Sequence, residues 1–408
     1  MKPTRILAIA LILVASEAAP QAPRALTTPT TTGAGSSGST ACPTLPDGPG
    51  ASSSALPDPF TFQAGGKVTS KADWACRQAE ISALMQKIEL GIMPPKPSSV
   101  TATYSGNNLT INASEGDRSI SFSATISKPS GDDVPAIIYF GAASIPIPST
   151  VAGILFNNDE IAHQVGSSPG RAGKFYDLYG RNHSAGSLVA WAWGISRIID
   201  GLELTRDQTG IDPIRLGVTG CSRNAKGALV AGALDPRVAL TLPQESGTGG
   251  AGCWRIADWE SNQGYHLDDI ADVVIEGVWF REEFGKYVRR FNELPFDHHM
   301  LAGLIAPRPM YVMENPIDWL GPQSTYGCMG AARRQWQALG ALDTFGYSQA
   351  GAHAHCNFPA AQQGELTAFI DKFLLGKEGA GSTSVYRTDQ NYTFYLDQWA
   401  PWSVPTLT

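Results

Sequence analysis

The sequence predicts an α/β fold, a three-layer sandwich in which helices cover both faces of a mainly parallel sheet. Three observations predict it. Near-continuous apolar runs such as VPAIIYF (134–140) and GILF (153–156) have the texture of strands buried on both faces. Helical stretches, around 186–202 and from about 225 to 234, alternate with such runs. No internal repeat and no second linker breaks the pattern, so one catalytic domain is expected over 42–408.

The chain opens differently. Lys2 and Arg5 precede an apolar run, Ile6–Ala15, and Ser16-Glu17-Ala18 offers small residues for cleavage. This is the pattern of a signal peptide over 1–18. The run is too short to span a bilayer, and no later segment is apolar enough to do so. A secreted, extracellular protein with no membrane partner is expected. Residues 19–41 are a Thr/Ser/Gly/Pro tract that cannot bury enough apolar surface to fold, and they read as a disordered stalk.

Secretion gives the six cysteines a meaning. An even number in an oxidising compartment suggests three disulfides, with the connectivity open. Sequons at Asn108, Asn112, Asn182 and Asn391 suit the same compartment. A net charge of −7 without any Lys/Arg cluster argues against nucleic acid.

Ser70 with Asp73 forms a capping-box pattern, and Trp74, Ile81, Leu84, Met85 and Ile88 recur at helical spacing until Gly91. Residues 119–127 alternate Ile120, Phe122, Ala124 and Ile126 towards one face, as a half-buried strand does. Further strands are expected at IRLGVT (214–219), VALTL (238–242), PMYVM (309–313) and TFGYS (344–348).

In such a sheet, sites assemble beyond the carboxyl ends of the strands. Four segments therefore share one rim: Gly141-Ala142-Ala143-Ser144, Ser222, Gln244-Glu245 and 351–356. Ser222 sits in GVTGCSRNAKGA, where a mid-sheet strand meets a helix. The turn that presents a nucleophilic serine usually reads G-x-S-x-G. Gly220 fits that pattern, but Asn224 occupies the second glycine position. Ser222 reads as a nucleophile on architecture, with an ordinary N-cap as the plain alternative.

A nucleophilic serine needs a base and a third group to orient it. His163, His183 and His266 lack an acid pattern. Asp297-His298-His299 has the residue types of a zinc site but no third ligand nearby, so no metal is expected. His353 and His355 follow the last strand. His355 neighbours Cys356 as Ser222 neighbours Cys221, and a Cys221–Cys356 bridge would clamp the two loops together. That selects His355. Glu245 and Glu314, each just past a strand, both remain candidate acids, with position alone leaning to Glu314. The backbone N–H of Arg223 is the natural oxyanion donor; its side chain could add charge there or pair with a carboxylate.

GCSRNAKGA, together with LPDPFTFQAGG, VTSKADWACRQAEI, FNND, PFDHHM, IDWLGP and HCNFP, resembles the fungal glucuronoyl esterases of carbohydrate esterase family 15. The resemblance runs from about Cys42 almost to the C-terminus and includes all six cysteines. It implies an α/β-hydrolase fold, no cofactor, and hydrolysis of esters between 4-O-methyl-glucuronic acid of xylan and lignin alcohols. It places the triad on Ser222, His355 and Glu245, which overrules the positional lean to Glu314, and the oxyanion arginine on Arg223. It puts sugar contacts on Lys226, Glu276 and Trp319, and disulfides at Cys42–Cys76, Cys221–Cys356 and Cys253–Cys328. Each sugar-contact position also has a plain reading, Lys226 and Glu276 as surface helix charges and Trp319 as core.

The chain departs from the family pattern in three places. Ala225 stands for a glycine in G-C-S-R-x-G-K, Asp268 replaces a sugar-contacting glutamine, and GAAS (141–144) replaces a more glycine-rich loop. A monomer acting on glucuronoxylan–lignin esters is the expectation. An acetyl xylan or feruloyl esterase with the same triad, or a non-catalytic binding protein on the same fold, are the alternatives.

Overall fold

A computed structural model describes residues 42–44, 52–164 and 171–408. The expected signal peptide (1–18) and stalk (19–41) lie outside the described residues. Ten strands among the described residues form one sheet: β1 (Ser99–Ser105), β2 (Asn108–Glu115), β3 (Arg118–Ser127), β4 (Val134–Phe140), β5 (Ala152–Phe156), β6 (Ile211–Cys221), β7 (Leu240–Gln244), β8 (Met310–Glu314), β9 (Phe345–Gln349) and β10 (Val385–Thr388). Their order is β1-β2-β3-β5-β4-β6-β7-β8-β9-β10.

The two halves of the sheet obey different rules. From β5 through β4 and β6 to β10 every neighbouring pair is parallel. Parallel strands need crossover helices, which cover both faces. All residues of β7, β8 and β9 are accordingly buried. β1, β2, β3 and β5 pair antiparallel, and there one face meets water. The alternation in β3 follows, with Phe122, Ala124 and Ile126 buried and Ile120 half-buried. The outer strand β1 alternates exposed Ser and Thr with half-buried residues, and β10 at the other edge has four residues. β1 and β10 had no clear signal in the sequence, because β1 is mostly Ser and Thr and β10 is too short a run to stand out, whereas β2 alternates buried Leu109, Ile111 and Ala113 as β3 does.

The first long helix, Lys71–Met85, begins as its capping box dictates. Ser70 Oγ accepts from the Asp73 N–H at 3.1 Å, and Asp73 Oδ2 accepts from the Ser70 N–H at 3.0 Å. It continues as a π-helical turn, Gln86–Leu90, and ends at Gly91 (φ 85°), where a Cβ would collide with the Ser184 carbonyl. The π-turn aims Glu89 into the interior, where it meets His298 Nε2 at 2.7 Å. His298 Nδ1 reaches the Gly250 carbonyl at 2.7 Å, and His299 Nε2 the Pro57 carbonyl at 2.9 Å. The two rings of PFDHHM thus serve separate internal contacts. Burial lowers the pKa of His298, but the Glu89 charge and hydrogen bond outweigh it and raise the pKa overall.

The helix Ser187–Leu204 lies across the sheet, burying Trp191 and Trp193 completely. Truncating a buried tryptophan of this kind costs about 3–5 kcal/mol. This helix packs on Arg223–Leu234, the helix that leaves β6. Both fix where β6 ends.

Candidate active site

Parallel strands point their carboxyl ends one way, so β4, β6, β7, β8 and β9 all finish at the same edge. Ser222 follows β6 directly. Its backbone is forced to φ 61°, ψ −130°, a conformation that L residues avoid. The turn is tight enough that a Cβ on Gly220 would lie 2.7 Å from the Asn224 backbone, so glycine is required there. Asn224, by contrast, sits in the first helical turn and needs no glycine. Its amide donates to the Phe140 carbonyl at 3.2 Å, and its oxygen accepts from Asn158 at 3.0 Å. Ala225 is accommodated fully buried. Ser222 has no side-chain cap bond, so the N-cap reading does not describe it.

Glu245 also stands at positive φ (50°), as does Cys356 (64°). The Glu245 N–H donates to the Met313 carbonyl at 2.7 Å, which swings its side chain across the rim. There Glu245 Oε2 accepts from His355 Nδ1 at 2.7 Å and from the Cys356 N–H at 3.0 Å. Asn315 and Gln244 also reach this carboxylate. His353 lies nearby, but its Nε2 is taken by the Ala350 carbonyl at 2.8 Å and its Nδ1 faces Asn315 at 3.3 Å. Cys221 and Cys356 are joined, with Cα atoms 5.7 Å apart. Cys42 pairs with Cys76, and Cys253 with Cys328.

Glu314 ends β8 but does not reach the histidine. It is fully buried, and its Oε1 accepts from the N–H (2.9 Å) and hydroxyl (2.8 Å) of Ser246. Burial pushes its pKa up to about 7, against the hydrogen bonds from Ser246. The lean to Glu314 is therefore corrected: β8 delivers it beneath the rim, not onto it.

Ser222 and His355 face one small cavity of about 170 Å³. Arg223, Lys226, Asp268, Glu276, Trp279 and Trp319 line it as well. A larger cavity of about 520 Å³, lined by Arg171, Arg181 and Arg281, contains none of these residues. Arg223 is exposed and makes no ion pair among the described residues, leaving its guanidinium free to face the cavity. As the first residue of a helix, its N–H has no partner within that helix. The Gly141–Ser144 loop follows β4 at the same edge, yet it does not line this cavity. A second oxyanion donor from that loop is not supported.

Lys226 is no surface charge. It is buried, with its ammonium donating to the carbonyls of Ser246 and Thr248 (2.6 Å to the latter) and lying 5.6 Å from the Trp279 ring. Burial lowers its pKa to about 8, while the charges of Glu314, Glu276 and Asp268 oppose that shift. Asp268 is half-buried, and burial together with Glu276 raises its pKa. Trp319 is 38% exposed, not core, and its ring stands edge-on to His355 at 4.7 Å. The Trp319 carbonyl accepts from the Asp268 N–H at 3.0 Å. Sequence reasoning missed Ser246, Thr248 and Trp279. The signal available was the glycine-dense stretch Gly247-Thr248-Gly249-Gly250 directly after a strand.

A serine on a strained turn, a histidine oriented by a buried carboxylate and a polar cavity can support nucleophilic acyl transfer. Comparison with known proteins points the same way. A family model described as glucuronyl esterase of fungi matches residues 111–340. A 4-O-methyl-glucuronoyl methylesterase of Podospora anserina is 63% identical over 90% of this chain and 78% of its own length. The crystal structure of a glucuronoyl esterase from Sporotrichum thermophile superposes with a TM-score of 0.86 at 51% identity, covering 90% of this chain and 100% of that one. A serine-to-alanine mutant of that esterase, in complex with methyl 4-O-methyl-β-D-glucopyranuronate, matches equally well, with a TM-score of 0.86 at 51% identity over 90% of this chain and 99% of that one.

Proposed function

The chain belongs to the fungal glucuronyl esterase family, and from that premise we propose that it is a secreted serine esterase for esters of 4-O-methyl-glucuronic acid. The natural substrate in this reading is the bond between that sugar, carried on xylan, and a lignin alcohol. Residues 42–408 are the catalytic domain, acting as a monomer without cofactor.

Ser222 Oγ attacks the C6 carbonyl of the sugar ester while His355 takes its proton through Nε2. Glu245 holds Nδ1–H and stabilises the imidazolium that forms. The negative oxygen of the tetrahedral intermediate is met by the Arg223 N–H and guanidinium. Collapse expels the alcohol, which His355 protonates, and leaves the glucuronoyl group on Ser222. Water, deprotonated by His355, then releases glucuronate and restores the serine.

The observation that carries this reading is the combination of a 2.7 Å Glu245–His355 contact with a cavity whose polar lining includes Lys226, Asp268 and Glu276. An acetate needs no such lining, and a ferulate needs an apolar one. Ring hydroxyls have use for charged donors and acceptors. The cavity, at about 170 Å³, suits the sugar and leaves the alcohol outside. The test is a rate comparison on benzyl glucuronate, benzyl galacturonate, acetylated xylan and methyl ferulate. Benzyl glucuronate should be cleaved fastest. Equal rates on the galacturonate ester would reduce the enzyme to a general esterase, and a preference for acetylated xylan or ferulate would replace the reading.

A further inference from the structure

We propose that Glu314 is a positioning residue of the sugar pocket, acting through Ser246 to set the carbonyl oxygens that hold Lys226. The inference rests on the reading of Lys226 as a sugar-binding group.

The chain of contacts is continuous. Glu314 Oε1 accepts two bonds from Ser246, and Ser246 Oγ in turn accepts from the Ala251 N–H at 2.8 Å. The Ser246 and Thr248 carbonyls receive the Lys226 ammonium. Gly247 (φ 60°) lies between these two carbonyls, and Gly249 (φ 74°), Gly250 and Gly252 follow them. A segment so rich in glycine loses much entropy when ordered, and its own bonds are few: the Thr248 N–H donates to the Leu320 carbonyl at 3.2 Å, and the Gly250 and Gly252 N–H groups donate to the Gly247 carbonyl at 3.0 and 2.9 Å. Its far end is held by the Cys253–Cys328 disulfide and by Asp297, which accepts from the Trp254 N–H at 2.8 Å. Its near end is held at Ser246 by Glu314. Without that anchor the Ser246 carbonyl loses its fixed aim while Thr248 keeps only its bond to Leu320, and a buried ammonium without aimed acceptors either moves or gives up its proton.

The Glu314 carboxyl does not touch the cavity, so its effect should appear in sugar affinity and not in serine reactivity. Calorimetric titration of methyl 4-O-methyl-glucuronate into Ser222→Ala protein reads the first. The labelling rate of Ser222-intact protein by an organophosphorus reagent reads the second. Glu314→Ala should weaken the titrated affinity about ten-fold or more, as expected for a misplaced buried charge partner. Labelling should stay within about three-fold of wild type, and Glu314→Gln, which keeps an acceptor oxygen, should restore affinity to within about three-fold. In a Lys226→Met background, Glu314→Ala should add less than about two-fold, because its path to the sugar is gone.

Unchanged affinity in folded Glu314→Ala overturns the proposal, as does full additivity with Lys226→Met or an equal loss of labelling. Should Glu314→Ala fail to fold, Ser246→Ala, which deletes the hydroxyl arm of the bridge together with the acceptor of the Ala251 N–H, must show a loss of the same kind; wild-type affinity there overturns the proposal. A Ser222→Ala parent that does not bind the methyl ester at all overturns the substrate reading and this inference with it.

Discussion

β7 and β8 lie side by side, and each hands the chain on through a glutamate. Glu245 follows Gln244, which pairs with Met313, so Glu245 and Glu314 are neighbours across the sheet. Their fates diverge at one backbone angle. Glu245 turns to φ 50° and reaches out to His355, whereas Glu314 is the last residue of its strand and points into the loop below. Residues with the same side chain, one strand apart, thus meet different partners, His355 on the rim and Ser246 beneath it. Here four non-glycine residues at positive φ, Ser222, Glu245, Ala352 and Cys356, stand at the end of β6, the end of β7 and in the histidine loop, and each costs about 1–3 kcal/mol.

The contrast can be broken most directly by exchanging the two glutamates' chemistry. Glu245→Gln should lower kcat about 10³-fold or more on benzyl glucuronate, since the histidine loses its oriented counter-charge. Glu314→Gln should leave kcat nearly unchanged, and Ser222→Ala should abolish turnover with the fold intact. The opposite order for the two glutamates would restore the acid to β8.

Next in size is the clamp. Replacing Cys221 and Cys356 by serine removes a link across 135 residues and should lower stability by about 3–5 kcal/mol. Activity measured well below the melting temperature should fall too, because the link joins the neighbours of Ser222 and His355. Full activity in a merely less stable protein would show that the hydrogen bonds of Glu245 suffice.

A smaller effect sharpens the supporting side. The Lys226 pKa, lowered by burial to about 8, means the ammonium is lost as pH rises through that value. KM for the glucuronate ester should therefore climb above pH 8 by more than in Lys226→Met, whose KM is already raised and should lack this limb.

The smallest concerns Glu314 and stability. Its pKa is raised by burial from 4.5 to about 7, so between those values the folded state binds the proton that the unfolded state has lost. Stability should fall as pH rises across that window. Urea midpoints from pH 4 to 8 should show the decline, and Glu314→Gln should flatten it.

Much of this arrangement was legible beforehand. Apolar runs located the central strands, since strands buried on both faces leave no choice of residue. The adjacency of Cys221 to Ser222 and of Cys356 to His355 singled out the histidine that the structure sets against Glu245. The carboxylate that meets His355 was not legible from position, because nothing in the TLPQ end of β7 announces a positive φ at the glutamate that follows; only the family resemblance selected Glu245. The bed of Lys226 was missed for a related reason. Its acceptors are backbone carbonyls, which every residue has, and Ser246 and Thr248 look like any loop residues. β1 escaped notice because an outer strand whose alternate residues meet water needs few apolar ones, while the alternation of Leu109, Ile111 and Ala113 in β2 was a signal passed over.

Those outer strands carry a consequence for the behaviour of the protein in concentrated solution. An open sheet edge is a template on which another chain can pair, and proteins blunt it with charge, proline or brevity. β10, four residues long, has brevity. β1 has seven residues, SVTATYS, with neither charge nor proline. Next door, Asn108 and Asn112, both exposed on β2, sit opposite Ser105 and Thr101 of β1, and each begins a glycosylation sequon. Glycans there would stand as a bulky fence along the one edge that could recruit a second sheet, and stripping them would leave self-association limited only by the polarity of serine and threonine.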